Sequence, residues 1–102
     1  MSNFFKNLFG NQVDLKGIYE RGAIILDVRS PEEYRTGHIK GSVNIPLDLL
    51  KTKIPDLQKK NRPVITCCRS GARSGMAKTL IASVGLEVYN GGSWDNLEKK
   101  IQ

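Results

Sequence analysis

Within Thr66-Cys-Cys-Arg-Ser-Gly-Ala-Arg-Ser74 the chain sets two thiols, two guanidinium groups and a glycine in one short stretch. A thiol becomes a useful nucleophile only as its thiolate, and free cysteine ionises at about 8.5. Three features favour the thiolate at Cys68. A helix beginning near Arg73 turns its free N–H groups and the positive end of its dipole toward the loop. Successive N–H groups of a tight loop form an anion-holding nest, and Gly71 permits the positive φ this requires. Arg69 and Arg73 add permanent charges that fork onto oxyanions. Small Ser70 and Ala72 leave the loop open. The combination on a strand–loop–helix unit points to a nucleophilic thiolate at Cys68, with Arg69, Ser70, Gly71, Ala72 and Arg73 holding an anionic substrate.

Cys67 reads differently. It closes the apolar run Pro63-Val-Ile-Thr-Cys67 and fits the core. Adjacent cysteines cannot meet ordinary disulfide geometry without severe strain. Two thiols and the single His38 are too few for a structural zinc site. The positive charge expected at Arg73 in a first helical turn opposes the helix dipole and calls for a bound anion or a carboxylate beside it.

The elements that must position this loop follow from pattern. Gly22-Ala-Ile-Ile-Leu-Asp27 has the continuous apolar run of a strand covered on both faces. Ser30-Pro-Glu-Glu33 opens a helix, with Ser30 as N-cap, Pro31 at the first position and Glu33 completing a capping box. Ser42 to Ile45 form a short strand, and Pro46 starts a helix that Pro55 stops. After the strand ending at Cys67, a helix places Met76, Ala77, Leu80, Ile81 and Val84 on one face, with Gly85 at its C-terminal end. Glu87 to Tyr89 form a strand, Gly91-Gly92 turn the chain, and Ser93 caps a last helix with Trp94, Leu97 and Ile101 inward. Strands alternating with helices give a parallel sheet covered by helices, with ligands beyond the strands' carboxyl ends.

The 102 residues suit one domain, spanning residues 13–102 behind an N-terminal extension of residues 1–12. That extension puts Phe4, Phe5, Leu8 and Phe9 on an apolar helical face around Lys6. It is too short and broken for a signal-peptide core, and the chain is placed in the cytoplasm without a membrane contact. Sixteen basic residues against ten acidic ones give a net charge of +6, which favours small anionic partners. The lysines are scattered and not interleaved with aromatic residues, so nucleic acid is not the expected partner.

Cys68-Arg-Ser-Gly-Ala-Arg-Ser74 resembles the active-site loop of the rhodanese-like family, written C-R-x-G-x-R-S. Asp27-Val-Arg29, Glu33-Tyr34, Gly37-His38-Ile39, Gly41 and Asn44-Ile-Pro46 match that family's upstream motif in order and spacing. Gly91-Gly92 before Trp94 resembles its C-terminal motif, although Ser93 alone stands where the family usually has several residues, which implies a differently shaped floor beneath the loop. The resemblance implies an α/β fold with a central parallel five-stranded sheet flanked by helices on both faces. It implies a monomeric thiosulfate sulfurtransferase in which Cys68 takes a sulfane sulfur as a persulfide and passes it to cyanide or a thiol, without metal or organic cofactor. Delivery of that sulfur to a relay protein is the alternative. Asp27, Arg29, Glu33 and His38 are assigned scaffolding roles, with Arg29 and Glu33 a candidate ion pair. Counting from Cys67 instead gives Cys-x5-Arg73, the spacing of cysteine phosphatases and arsenate reductases. Thr66 stands where such sites commonly have histidine.

Overall fold

The computed structural model describes residues 13–102, so the extension around Phe4, Phe5, Leu8 and Phe9 lies outside the described residues. Four strands, β1 (Ile24–Asp27), β2 (Val43–Asn44), β3 (Val64–Cys68) and β4 (Val88–Ser93), pair in parallel in the order β2-β1-β3-β4. Among the described residues five α-helices alternate with them, α1 (Leu15–Glu20), α2 (Pro31–Thr36), α3 (Leu50–Lys60), α4 (Ala72–Ser83) and α5 (Trp94–Ile101), with a 3-10 turn at Leu47–Leu49 leading into α3. The resemblance implies a fifth strand; among the described residues there are four. The other described segments are helices, turns and short irregular connections, which leaves no further strand to pair.

Strand periodicity sorts the core into two layers, because successive side chains point to opposite faces. Ile24, Leu26, Val28, Val64 and Cys68 face α3 and α4, where they meet Leu50, Ile54, Leu57, Ala77 and Ile81. Ile25, Ile65 and Cys67 face α1 and α5, among Leu15, Ile18, Leu97 and Ile101. Each fully buried Leu or Ile contributes about 1.5–3 kcal/mol, and these apolar faces fix the strand register.

Three local expectations change. Pro55 lies inside α3 rather than ending it. It leaves the carbonyl of exposed Lys51 without its helical N–H partner, and Leu50, Ile54 and Leu57 on the buried face hold the helix together. Gly91 and Gly92 belong to β4, which is shifted in register against Thr66 and Cys68 of β3. A Cβ on Gly91 would stand 2.8 Å from both the Thr66 carbonyl oxygen and Leu97, so the close strand approach requires glycine. Met76 is 63% exposed and Val84 is exposed as well, because the buried stripe of α4 runs through Ser74, Ala77 and Ile81.

The chain steps from β1 out to β2, then crosses back to β3 on the other side of β1. Connections diverging from the β1/β3 pair leave a crevice beyond its carboxyl ends. Asp27 ends β1 and Cys68 ends β3 there.

Candidate active site

The capping box of α2 forms as its residues require. Ser30 Oγ accepts from the Glu33 N–H at 3.2 Å, and Glu33 Oε1 accepts from the Ser30 N–H at 3.1 Å. The same carboxylate reaches across the crevice. Arg73 donates to both Glu33 oxygens, Nη1 to Oε1 at 2.7 Å and Nη2 to Oε2 at 3.0 Å. Arg73 thus meets a carboxylate that offsets its charge in the first turn of α4. Those two Arg73 bonds, with the Ser30 N–H next, pull the Glu33 carboxyl down to about 2. Arg29 does not take Glu33's carboxylate. Its Nε and Nη2 bond buried Asp27, Nη2 to Oδ2 at 2.7 Å, and its remaining donors bond the carbonyls of Glu33 and Gly37. Trp94 covers that guanidinium, its ring centroid 5.0 Å from Cζ. A buried ion pair with its hydrogen bonds filled fixes the β1–α2 turn, and removal of either partner leaves a costly bare charge.

His38 is exposed. Its Nδ1 lies 2.7 Å from the Tyr34 carbonyl oxygen, and its ring stacks on Tyr34 at 3.7 Å between centroids. Those contacts hold the turn after α2.

Cys68 lies beneath the N-terminus of α4. Gly71, with φ of 105°, ends the loop and donates its N–H to Cys68 Sγ at 3.0 Å. Ser74 donates its N–H to the same sulfur at 3.4 Å and sets its hydroxyl oxygen 3.4 Å away. Burial opposes ionisation of Cys68, yet the Ser74 hydroxyl and the N–H groups of Ser74, Gly71 and Ser70 outweigh it and hold the thiol below its ordinary value. The sequence points to three sources of that effect: the helix N-terminus, the loop amides, and the charges of Arg69 and Arg73; the first two act on the sulfur and the third does not. In the structure the donors at the sulfur are amides and a hydroxyl, Arg73 is engaged by Glu33, and Arg69 is exposed with Ser70 and Ala72 on the loop surface. Cys67 takes the opposite shift: burial first, and then the Asp27 charge, push its thiol far up.

Two contributors escaped the sequence reading. Ser74 was quoted at the end of the motif but given no role. Asn90 on β4 bonds Ser74, Gly71 and Gly92. Its sequence signal is only its place directly before the glycine pair, on the strand paired with β3. Beside Arg73 opens a groove of about 480 Å³ walled by Val28, Pro31, Pro46, Leu47 and Leu49.

A strand-ending cysteine under a helix N-terminus at the switch point of a parallel sheet defines the class of protein. The rhodanese-like domain model matches residues 11–99, and the chain belongs to that family. It is 40% identical over 72 residues to the thiosulfate sulfurtransferase PspE of Escherichia coli, an alignment covering 66% of this chain and 66% of that protein, just under two thirds of its length. Among solved structures, a rhodanese with anions from E. coli superposes with a TM-score of 0.67 at 35% identity, over 74% of this chain and 91% of that one. A human single-domain sulfurtransferase superposes with a TM-score of 0.65 at 27% identity, covering 85% and 91%.

Proposed function

We propose that the chain is a sulfurtransferase that carries a sulfane sulfur on Cys68. The observation that carries this reading is the convergence of the Gly71 and Ser74 N–H groups on Cys68 Sγ, at 3.0 and 3.4 Å. Donors aimed at a sulfur stabilise its anion in a site that excludes water. In the forward half-reaction the thiolate attacks the outer sulfur of thiosulfate. A new S–S bond forms, the donor's S–S bond breaks, and sulfite leaves with the bonding pair. In the second half, cyanide or a thiol attacks the outer sulfur of the persulfide and the Cys68 thiolate departs.

Arg69 on the exposed rim draws in the dianionic donor, and the backbone of Ser70, Gly71 and Ala72 holds the negative sulfur. Arg73, fixed by Glu33, borders the groove through which an acceptor approaches. Asp27, Arg29, Glu33 and His38 maintain the scaffold. The proposed setting is the cytoplasm, where thiols stay reduced. The alternative reading, delivery of sulfur to a relay protein, uses the same persulfide. The placement of Cys67 on the opposite layer from the loop donors speaks against a Cys67-x5-Arg73 oxyanion enzyme.

Incubation with thiosulfate is expected to add one sulfur atom to the intact mass, mapped by peptide analysis to Cys68, and cyanide is expected to remove it as thiocyanate. A label on Cys67, or aryl-phosphate turnover exceeding thiocyanate production, overturns the proposal. A persulfide that resists cyanide yet passes to a protein thiol selects the carrier reading.

A further inference from the structure

Ser74 is fully buried, and its single hydroxyl proton has several claimants. Its Oγ lies 2.7 Å from Asn90 Oδ1, 3.1 Å from the Gly71 carbonyl oxygen and 3.4 Å from Cys68 Sγ. The orientation of the Asn90 amide follows from its neighbours. The Gly92 N–H donates to one end at 3.0 Å, which must therefore be the oxygen, and the other end donates to the Gly71 carbonyl at 3.2 Å. Asn90 thus presents an acceptor to Ser74 from the side away from the sulfur.

While Cys68 is a thiol, the chain is complete: its S–H donates to Ser74 Oγ, whose O–H donates to Asn90 Oδ1. Once Cys68 is a thiolate, the sulfur becomes an acceptor and needs the Ser74 proton, so the hydroxyl must rotate and surrender its shortest hydrogen bond. We infer that Asn90 is a positioning residue that, through the Ser74 hydroxyl, sets how readily Cys68 becomes a thiolate. The inference rests on the proposed reading of Cys68 as the nucleophile and deepens it. In the persulfide the inner sulfur carries no charge and the Ser74 proton returns to Asn90. Each half of the reaction therefore finds an acceptor for the Ser74 proton, which only changes the direction of its O–H while Cys68 loses its own proton and takes up the sulfur.

The test is the rate of Cys68 alkylation by iodoacetamide against pH, which needs no sulfur transfer. If thiosulfate never loads the protein, the proposed function fails while this measurement still reports on Asn90. Asn90→Ala frees the Ser74 proton for the sulfur; the titration midpoint is expected to fall, and the rate well below it to rise about threefold, the worth of one modest hydrogen bond. Asn90→Asp keeps the acceptor and adds a negative charge, so its midpoint is expected to rise. In a Ser74→Ala background the effect of Asn90→Ala is expected to vanish, since the hydroxyl that transmits it is gone. An unchanged or raised midpoint in Asn90→Ala, or an equal shift with and without Ser74, overturns the inference and leaves Asn90 a strut between loop and strand.

Discussion

From the end of β3 Cys67 turns into the layer of α1 and α5 while Cys68 turns toward α3 and α4, and the two thiols are buried alike, 0% and 1% exposed. Depth alone would make both inert. What separates them is the company on each side. Cys67 faces apolar side chains and the carboxylate of Asp27. Cys68 faces the first turn of α4, where amides lacking helical partners and a hydroxyl can donate to it. The lesson is that reactivity here is a property of a strand's face. One residue of register decides which cysteine meets the helix N-terminus.

The strongest way to break this contrast is to delete each thiol in turn. Cys68→Ala is expected to cut thiocyanate formation about a thousandfold or more. Cys67→Ala keeps most activity and costs about 1 kcal/mol of stability, measured by urea unfolding, through the small void it leaves. A dead Cys67 variant would reverse the assignment of the two faces.

A smaller effect sharpens the contrast by removing one donor. Ser74→Ala is expected to raise the Cys68 alkylation midpoint and slow alkylation near neutral pH roughly tenfold, the value of a hydrogen bond to a charged group. An unchanged rate would mean that the amides alone set the Cys68 side of the comparison.

The smallest effect concerns the carboxylate that holds Arg73 rather than the sulfur. The Glu33 carboxyl is lowered to about 2 in the fold, so the folded state binds its proton less readily than the unfolded chain does. Its contribution is therefore full above the ordinary carboxylate value and is lost as pH falls toward 2. Wild type is expected to exceed Glu33→Gln by about 1 kcal/mol at pH 6, with the gap closing in acid on urea titration. A gap independent of pH would remove the ion pair from the account.

The parts legible in the sequence were those with short-range causes. The capping box needed only Ser30 and Glu33, three residues apart, and it is present as read. The apolar runs at Ile24 and Val64 marked β1 and β3, and Gly71 marked the start of α4. The parts that escaped depend on residues distant in sequence. Arg73 called for an anion or a carboxylate beside it, but nothing in the sequence named Glu33, forty residues away, as that carboxylate. Arg29 paired with Asp27 because both side chains leave the same face of the β1 end, a geometry that charge spacing does not announce. Asn90 joins the site only because β4 pairs with β3. Pro55 shows the converse, a strong local signal overruled by three buried side chains.

The shared use of Glu33 also has a kinetic side. Because one carboxylate closes the cap of α2 and grips the first turn of α4, those two segments cannot open independently without leaving it half-bonded. They form one cooperative unit for local unfolding, so the Ser30 and Glu33 amides and those of the first turn of α4 are expected to lose their exchange protection together.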